Sequence, residues 1–163
     1  MFGGTSTGRT VAVACQVEDP NNLRFCDQTR YNIPFLTQFK LAGTYALPYA
    51  IRLGANFQSQ PGTERIINYA VVRSILPTLT QTSVNVRLNE PGSEYNDRVN
   101  QLDVTLSRSF RNRGVDVRPE LSIFNMLNAN PVIVQVNTYG PSLGNVTTIL
   151  NPRVLRLGVN VRF

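Results

Sequence analysis

Histidine and tryptophan are absent from the 163 residues, cysteine and methionine occur twice each, and only 16% of residues are charged, against about 25% in typical globular domains. Without histidine the commonest general base and metal ligand is missing. No nucleophile elbow and no phosphate-cradling glycine loop occurs, because Gly3-Gly4-Thr5-Ser6-Thr7-Gly8 lacks the lysine of such a loop and reads as a flexible lead-in. An enzyme is therefore not expected, and no catalytic residue, cofactor or metal site is assigned. No run approaches the ~18 consecutive apolar residues of a transmembrane helix. Met1-Phe2-Gly3-Gly4-Thr5-Ser6 has neither the basic start nor the apolar centre of a signal peptide, so an export signal, where one is needed, is expected upstream of Met1.

The 42% of hydrophobic residues is slightly low for a globular domain, but β-branched and aromatic residues are spread along the chain, which favours strands. The formal net charge is +6. Its arginines are scattered, with no basic run and no aromatic-basic interleaving, so nucleic acid is not an expected partner. Cys15 and Cys26 enclose a short polar segment, Gln16-Val17-Glu18-Asp19-Pro20-Asn21-Asn22 among it. That spacing suits a disulfide-stapled surface loop in an oxidising compartment, worth about 3 kcal/mol in the chain-entropy model. Two unpaired thiols are the alternative.

What the chain does have is period-two alternation, repeated in five segments. Leu155, Leu157, Val159, Val161 and Phe163 fall on one face of the last, with Arg156, Gly158, Asn160 and Arg162 on the other. In 101–110, Leu102, Val104, Leu106 and Phe110 oppose Gln101, Asp103, Thr105, Ser107 and Ser109. In 116–127, Val117, Leu121, Ile123 and Leu127 oppose Asp116, Arg118, Glu120 and Ser122. Phe35, Phe39, Leu41, Tyr45 and Leu47 oppose Gln38, Lys40 and Thr44, and Ile51, Leu53, Ala55 and Phe57 oppose Arg52, Asn56 and Gln58. Each segment approaches the ~9–11 residues that cross a bilayer as a tilted strand, about twice the usual soluble length.

Connections alternate short and long. Leu47-Pro48-Tyr49 and Arg111-Asn112-Arg113-Gly114 are tight turns, the first with φ set by proline and the second with a glycine free to take positive φ. Segments 15–34, 59–98 and 128–152 are long and polar, although 66–75, 83–88 and 145–150 carry strand character and could form hairpins above the sheet. All short turns then lie at one end and all long loops at the other, the layout of outer-membrane barrels. The expected fold is all-β: an antiparallel up-and-down meander of about five long transmembrane strands. Residues 1–34 form a lead-in and extracellular loop, and residues 35–163 form the strands.

Arg98-Val99-Asn100-Gln101-Leu102-Asp103-Val104, Leu121-Ser122-Ile123-Phe124-Asn125-Met126-Leu127-Asn128-Ala129-Asn130-Pro131-Val132 and the ending from Ile149-Leu150-Asn151-Pro152-Arg153 to Phe163 resemble the C-terminal barrel region of TonB-dependent receptors. The likeness is to the carboxypeptidase-regulatory-like subgroup common in soil bacteria such as Acidobacteria. It extends over nearly the whole chain, including Cys15, Cys26 and Phe57-Gln58-Ser59-Gln60-Pro61-Gly62. It implies an open segment of a 22-stranded, plugged barrel in the bacterial outer membrane, serving nutrient uptake. The plug, the energy-coupling box and the earlier strands are expected in a missing N-terminal part, with Met1 an internal start or the edge of a fragmentary reading frame. The implied partners are outer-membrane lipid, those missing strands and plug, the outer-membrane assembly machinery, and, through the missing part, an inner-membrane energy-coupling complex.

On this reading Leu155, Leu157, Val159, Val161 and Phe163 are the C-terminal assembly signal, recognised by strand addition. Lys40, Arg52, Asp103, Asp116, Arg118, Glu120, Arg156 and Arg162 point into a wet lumen and chiefly satisfy one another and water. Tyr45, Tyr49, Phe110 and Phe163 belong to the inner aromatic girdle, and Tyr69, Tyr95 and Tyr139 pack within the loops. Five strands leave an unpaired edge on the first, near 35–47. The alternative is a soluble secreted β-sandwich for binding or adhesion, which accounts for the alternation and the disulfide but not for the strand lengths, the loop layout or the aromatic terminus.

Overall fold

The structure, a computed structural model, describes residues 4–8 by their backbone alone and residues 24–163 in full. The strands in chain order are β1 (Gly4–Gly8), β2 (Leu36–Leu47), β3 (Ile51–Gln60), β4 (Asn68–Val72), β5 (Ser83–Arg87), β6 (Val99–Arg108), β7 (Phe110–Asn112), β8 (Val115–Phe124), β9 (Val132–Gln135), β10 (Val146–Ile149) and β11 (Val154–Arg162). One antiparallel sheet runs β1-β2-β3-β6-β8-β11, with β7 also paired to β8. The hairpins β4–β5 and β9–β10 form two further sheets. The architecture is all-β, and the main sheet is open: no closed barrel is present among the described residues.

The five alternating segments are the five long strands, of 12, 10, 10, 10 and 9 residues for β2, β3, β6, β8 and β11. Their register lines up like with like. Tyr45 lies opposite Leu53, Leu53 opposite Leu106, Leu106 opposite Leu121, and Leu121 opposite Leu157. One step along, Thr44, Gly54, Thr105, Ser122 and Arg156 form the neighbouring row. Because side chains alternate across a pleated strand, these rows make one apolar and one polar face across the whole sheet.

At the centre of the sheet small polar residues are better covered than the apolar row, while β2 and β11 are open on both faces. Leu155, Leu157 and Val159 are 66%, 82% and 69% exposed, whereas Ser107 and Ser122 are 8% and 2% exposed. Among the described residues the only buried hydrophobics are Ile33 and Val84. Both lie in the loop region, so the sheet has no hydrophobic core of its own.

The two short turns are built as tight hairpins require. Asn112 pairs with Val115 across the two residues Arg113 and Gly114, whose φ angles of 47° and 88° are both positive. Two positive φ values suit the right-handed twist of the flanking strands. Leu47 pairs with Ile51 across Pro48-Tyr49-Ala50, with Tyr49 and Ala50 at φ 62° and 56°. Arg162 pairs with Asp116, so the last strand ends beside the Arg113–Gly114 turn. The three connections longer than a turn leave from the opposite end of the sheet, as the alternation of loop lengths predicts.

Three expectations need correction. Gly4–Gly8 is not a flexible lead-in but β1, paired antiparallel with β2 from Gly4 opposite Lys40 to Gly8 opposite Leu36. The edge of β2 is accordingly covered over Leu36–Lys40 and not left unpaired throughout. Leu127 does not share the apolar row of β8. That strand ends at Phe124, because Asn125 takes a left-handed φ of 49° and turns the chain out of the ladder. Finally, 101–110 is divided into β6 and β7. The break lies where Pro119, which has no N–H to donate, interrupts the pairing to Arg108 before it resumes in the same register at Phe110 opposite Val117.

Candidate functional site: a two-faced wall and its loop crown

The apolar face of the wall carries aromatic side chains at both ends. Tyr45, Tyr49, Phe110 and Phe163 lie toward the short turns, and all four are exposed. Phe35, also exposed, lies toward the long loops, as do Phe39 and Phe57, whose rings are tilted at 53° with centroids 6.0 Å apart. The apolar row from Phe39 to Leu47, at about 3.4 Å per residue and a tilt near 40°, spans roughly 21 Å, close to the ~25 Å band of outer-membrane barrels. Leu155, Leu157, Val159, Val161 and Phe163 complete this face on β11, Phe163 being 99% exposed.

The polar face brings the eight charged residues of the alternating segments onto one side. It is hollowed into a cavity of about 580 Å³ whose lining includes Arg52, Asn56, Asp103, Thr105, Arg118 and Glu120. Arg156 meets Glu120 at 3.4 Å, and Arg118 meets Asp116 at 3.8 Å while donating from Nε to Ser109 Oγ at 3.0 Å. An amide relay runs from the loop end into the wall. Gln60 donates to Gln58 (3.1 Å), Gln58 to Gln101 (3.1 Å) and Gln101 to Asp103 (3.0 Å), whose Oδ1 accepts the Asn125 N–H at 2.9 Å. Lys40 and Arg52 share the polar face but form no ion pair among the described residues.

Asn125 is the joint between wall and crown, and it is 2% exposed. Its Nδ2 donates to the carbonyls of Ala129 and Asn151, both at 2.8 Å, and its Oδ1 accepts the Ala129 N–H at 3.0 Å. Asn128, also left-handed at φ 52°, accepts the Arg153 N–H through Oδ1 at 3.2 Å. Phe124-Asn125-Met126-Leu127-Asn128 therefore ties the exit of β8 to the entry of β11.

Asparagine recurs as the fastener within the crown. Asn89 accepts the Ile67 N–H (2.9 Å) and donates to the Arg65 carbonyl (2.6 Å). Asn96 donates to Thr63 Oγ1 (2.8 Å) and the Ile133 carbonyl (3.2 Å), and accepts from Gln135 (2.7 Å). Glu64 holds Arg87 and accepts the Gly92 N–H at 2.7 Å, and Arg65 pairs with Glu94 at 3.0 Å. Tyr69 and Tyr139 meet edge-to-face at 5.8 Å, joining the two long loops. Tyr95 lies opposite Glu64, and its pKa is pushed up by burial and by the Glu64 charge. Gly62 packs so closely that a Cβ would overlap the Asn96 carbonyl.

Cys26 is disulfide-bonded, and Cys15 lies outside the described residues. Asp27, next to Cys26, has its pKa lowered by hydrogen bonds from Thr29 and by the nearby Arg30. No cluster of three or more potential metal ligands occurs among the described residues.

Sequence reasoning placed the two faces but missed the joint at Asn125, the fasteners Asn89 and Asn96, the close approach at Gly62, and Arg108 on the apolar face. Single asparagines carry no periodic signal, although Phe124-Asn125-Met126-Leu127-Asn128 lies within one of the segments that carry the resemblance. Compared with protein-family models, with curated proteins and with solved structures, the chain matches none.

Proposed function

We propose that this chain is the C-terminal part of the wall of a TonB-dependent receptor in the bacterial outer membrane, contributing barrel strands, extracellular loops and the assembly signal to nutrient uptake. The observation that carries the reading is an apolar face left uncovered across five long strands, set against a polar, hollowed face. Lipid is the solvent such a face suits, because every backbone group of a barrel is paired while apolar side chains point outward. Segregation of the tight turns from the long loops supports the same orientation, with turns in the periplasm and crown outside. The free edge of β11 and the rest of β2 would pair with the missing strands of a 22-stranded barrel. Leu155, Leu157, Val159, Val161 and Phe163 would be read by the assembly machinery as an exposed last strand.

A secreted β-sandwich would need a second sheet packed about 10 Å across the apolar face. Among the described residues the other two sheets are the loop hairpins, and Leu157, at 82% exposed, has no such cover.

The reading is tested by fractionation. Expressed behind an export signal together with the upstream strands, the chain is expected in the outer membrane and extracted only by detergent. A monomer soluble in plain buffer contradicts the proposal.

A further inference from the structure

One charge breaks the apolar face. Along β2, β3, β6, β8 and β11 the outward rows hold no charged residue except Arg108, the last residue of β6, and their polar side chains, Thr37, Ser59 and Asn100, lie at the long-loop end. Arg108 is exposed, lies opposite Ile51 at the short-turn end, and stacks its guanidinium 4.8 Å above the Phe110 ring. Directly beside it the apolar surface is indented. A hollow of about 440 Å³ is lined by Leu106, Arg108, Pro119, Leu121, Leu157 and Val159. Pro119, which lines it, is also the residue that interrupts the β6–β8 ladder.

We infer that this hollow seats an acyl chain of an anionic glycerophospholipid, with its phosphate held by Arg108. The inference rests on the reading of the sheet as outer-membrane wall and names a ligand for one place on it. A cation on a lipid-facing row is tolerated at the interface, where its cost falls to about 0–1 kcal/mol, but not near the midplane. Arg108, one residue-pair above Phe110, stands at that interface. A guanidinium matches phosphate in two-pronged geometry, and the adjacent groove is apolar, as a lipid tail requires. Charge and groove thus fit the two ends of one molecule. The short-turn end also carries Arg52, Arg111, Arg113, Arg118 and Arg162 against only Asp116 and Glu120, so its field favours an anionic headgroup.

The test uses the chain joined to its upstream strands and reconstituted in phosphatidylcholine vesicles doped with a photoactivatable phospholipid, its acyl chain bearing a diazirine and its headgroup either phosphatidylglycerol or phosphatidylcholine. Cross-linked peptides are mapped by mass spectrometry. The anionic probe is expected to label the peptides containing Leu106, Leu121 and Leu157 over those containing Leu41 and Leu53 by about fivefold more than the neutral probe does, the factor for one interfacial cation. Arg108→Gln should abolish that excess and Arg108→Lys should retain most of it, while neutral-probe labelling at Leu41 reports that each variant is folded and inserted. Equal labelling by both headgroups, or an excess untouched by Arg108→Gln, overturns the lipid seat and leaves the wall reading intact. Absence of labelling anywhere on the apolar face overturns both.

Discussion

In the wall, β2, β3, β6, β8 and β11 are joined by backbone ladders of up to ten paired residues, interrupted only at Pro119, and the alternating faces set the character of their side chains. In the crown, 61–98 and 125–153 have short hairpins of five and four residues, and side-chain amides bind one loop to the next. The wall is thus specified by an average property, alternating hydropathy, in which one residue can change without altering the pattern. The crown is specified by individual groups, each with particular partners. Damage should therefore spread differently in the two regions, and the largest effects are expected where they meet.

Asn125→Ala removes three side-chain hydrogen bonds from a nearly buried site and places alanine at positive φ. A loss of about 3 kcal/mol is expected at roughly 1 kcal/mol per bond, read as earlier denaturant unfolding of the β8–β11 exit. Unfolding at the wild-type midpoint would mean that the joint is not where wall and crown are coupled.

Leu157→Arg lies wholly within the wall. In a bilayer it should cost about 2–4 kcal/mol near the midplane, whereas Asn160→Arg on the polar face should be mild. In water the ordering would vanish, because Leu157 is already exposed there.

Gly62→Ala tests the crown alone. Its Cβ would overlap the Asn96 carbonyl, so about 1–3 kcal/mol is expected from overpacking. Faster proteolysis within 61–98, with β3 and β6 still protected, is the expected signature. Equal loosening of both strands would show that crown and wall do not open separately.

The smallest effect is a pH dependence. Tyr95 has its pKa raised in the folded crown by burial and by Glu64. The unfolded chain deprotonates first, so the stabilisation is complete below about pH 10 and is lost as the pH rises through the higher folded value. Tyr95→Phe should abolish this alkaline loosening of the crown. Persistence of the same transition in the variant assigns it to another group.

The wall was legible in the sequence because two-residue alternation needs no knowledge of partners, and the register merely lines up rows already apolar or polar along each strand. The expected hairpins over 66–75 and 83–88 correspond to β4, which starts at Asn68 and gives way to a turn at 73–75, and to β5, which ends one residue short at Arg87. The crown's closure was not legible. Asn89, Asn96 and Asn125 look like any loop asparagine until the carbonyls they reach are in place. β1 was missed because Gly-Thr-Ser-Thr-Gly has no apolar row to read, and its pairing with β2 is a backbone property. Pro119 hid the division of β6 from β7, since loss of one donor leaves the hydropathy pattern intact.

The most direct test of the wall is site-directed spin labelling along β11 from Val154 to Arg162 in reconstituted bilayers. The account predicts that oxygen collides preferentially with labels at Leu155, Leu157, Val159 and Val161, and a water-soluble nickel chelate with labels at Arg156, Gly158, Asn160 and Arg162, alternating at every step. Chelate access at the leucine and valine positions equal to that at their neighbours would contradict it.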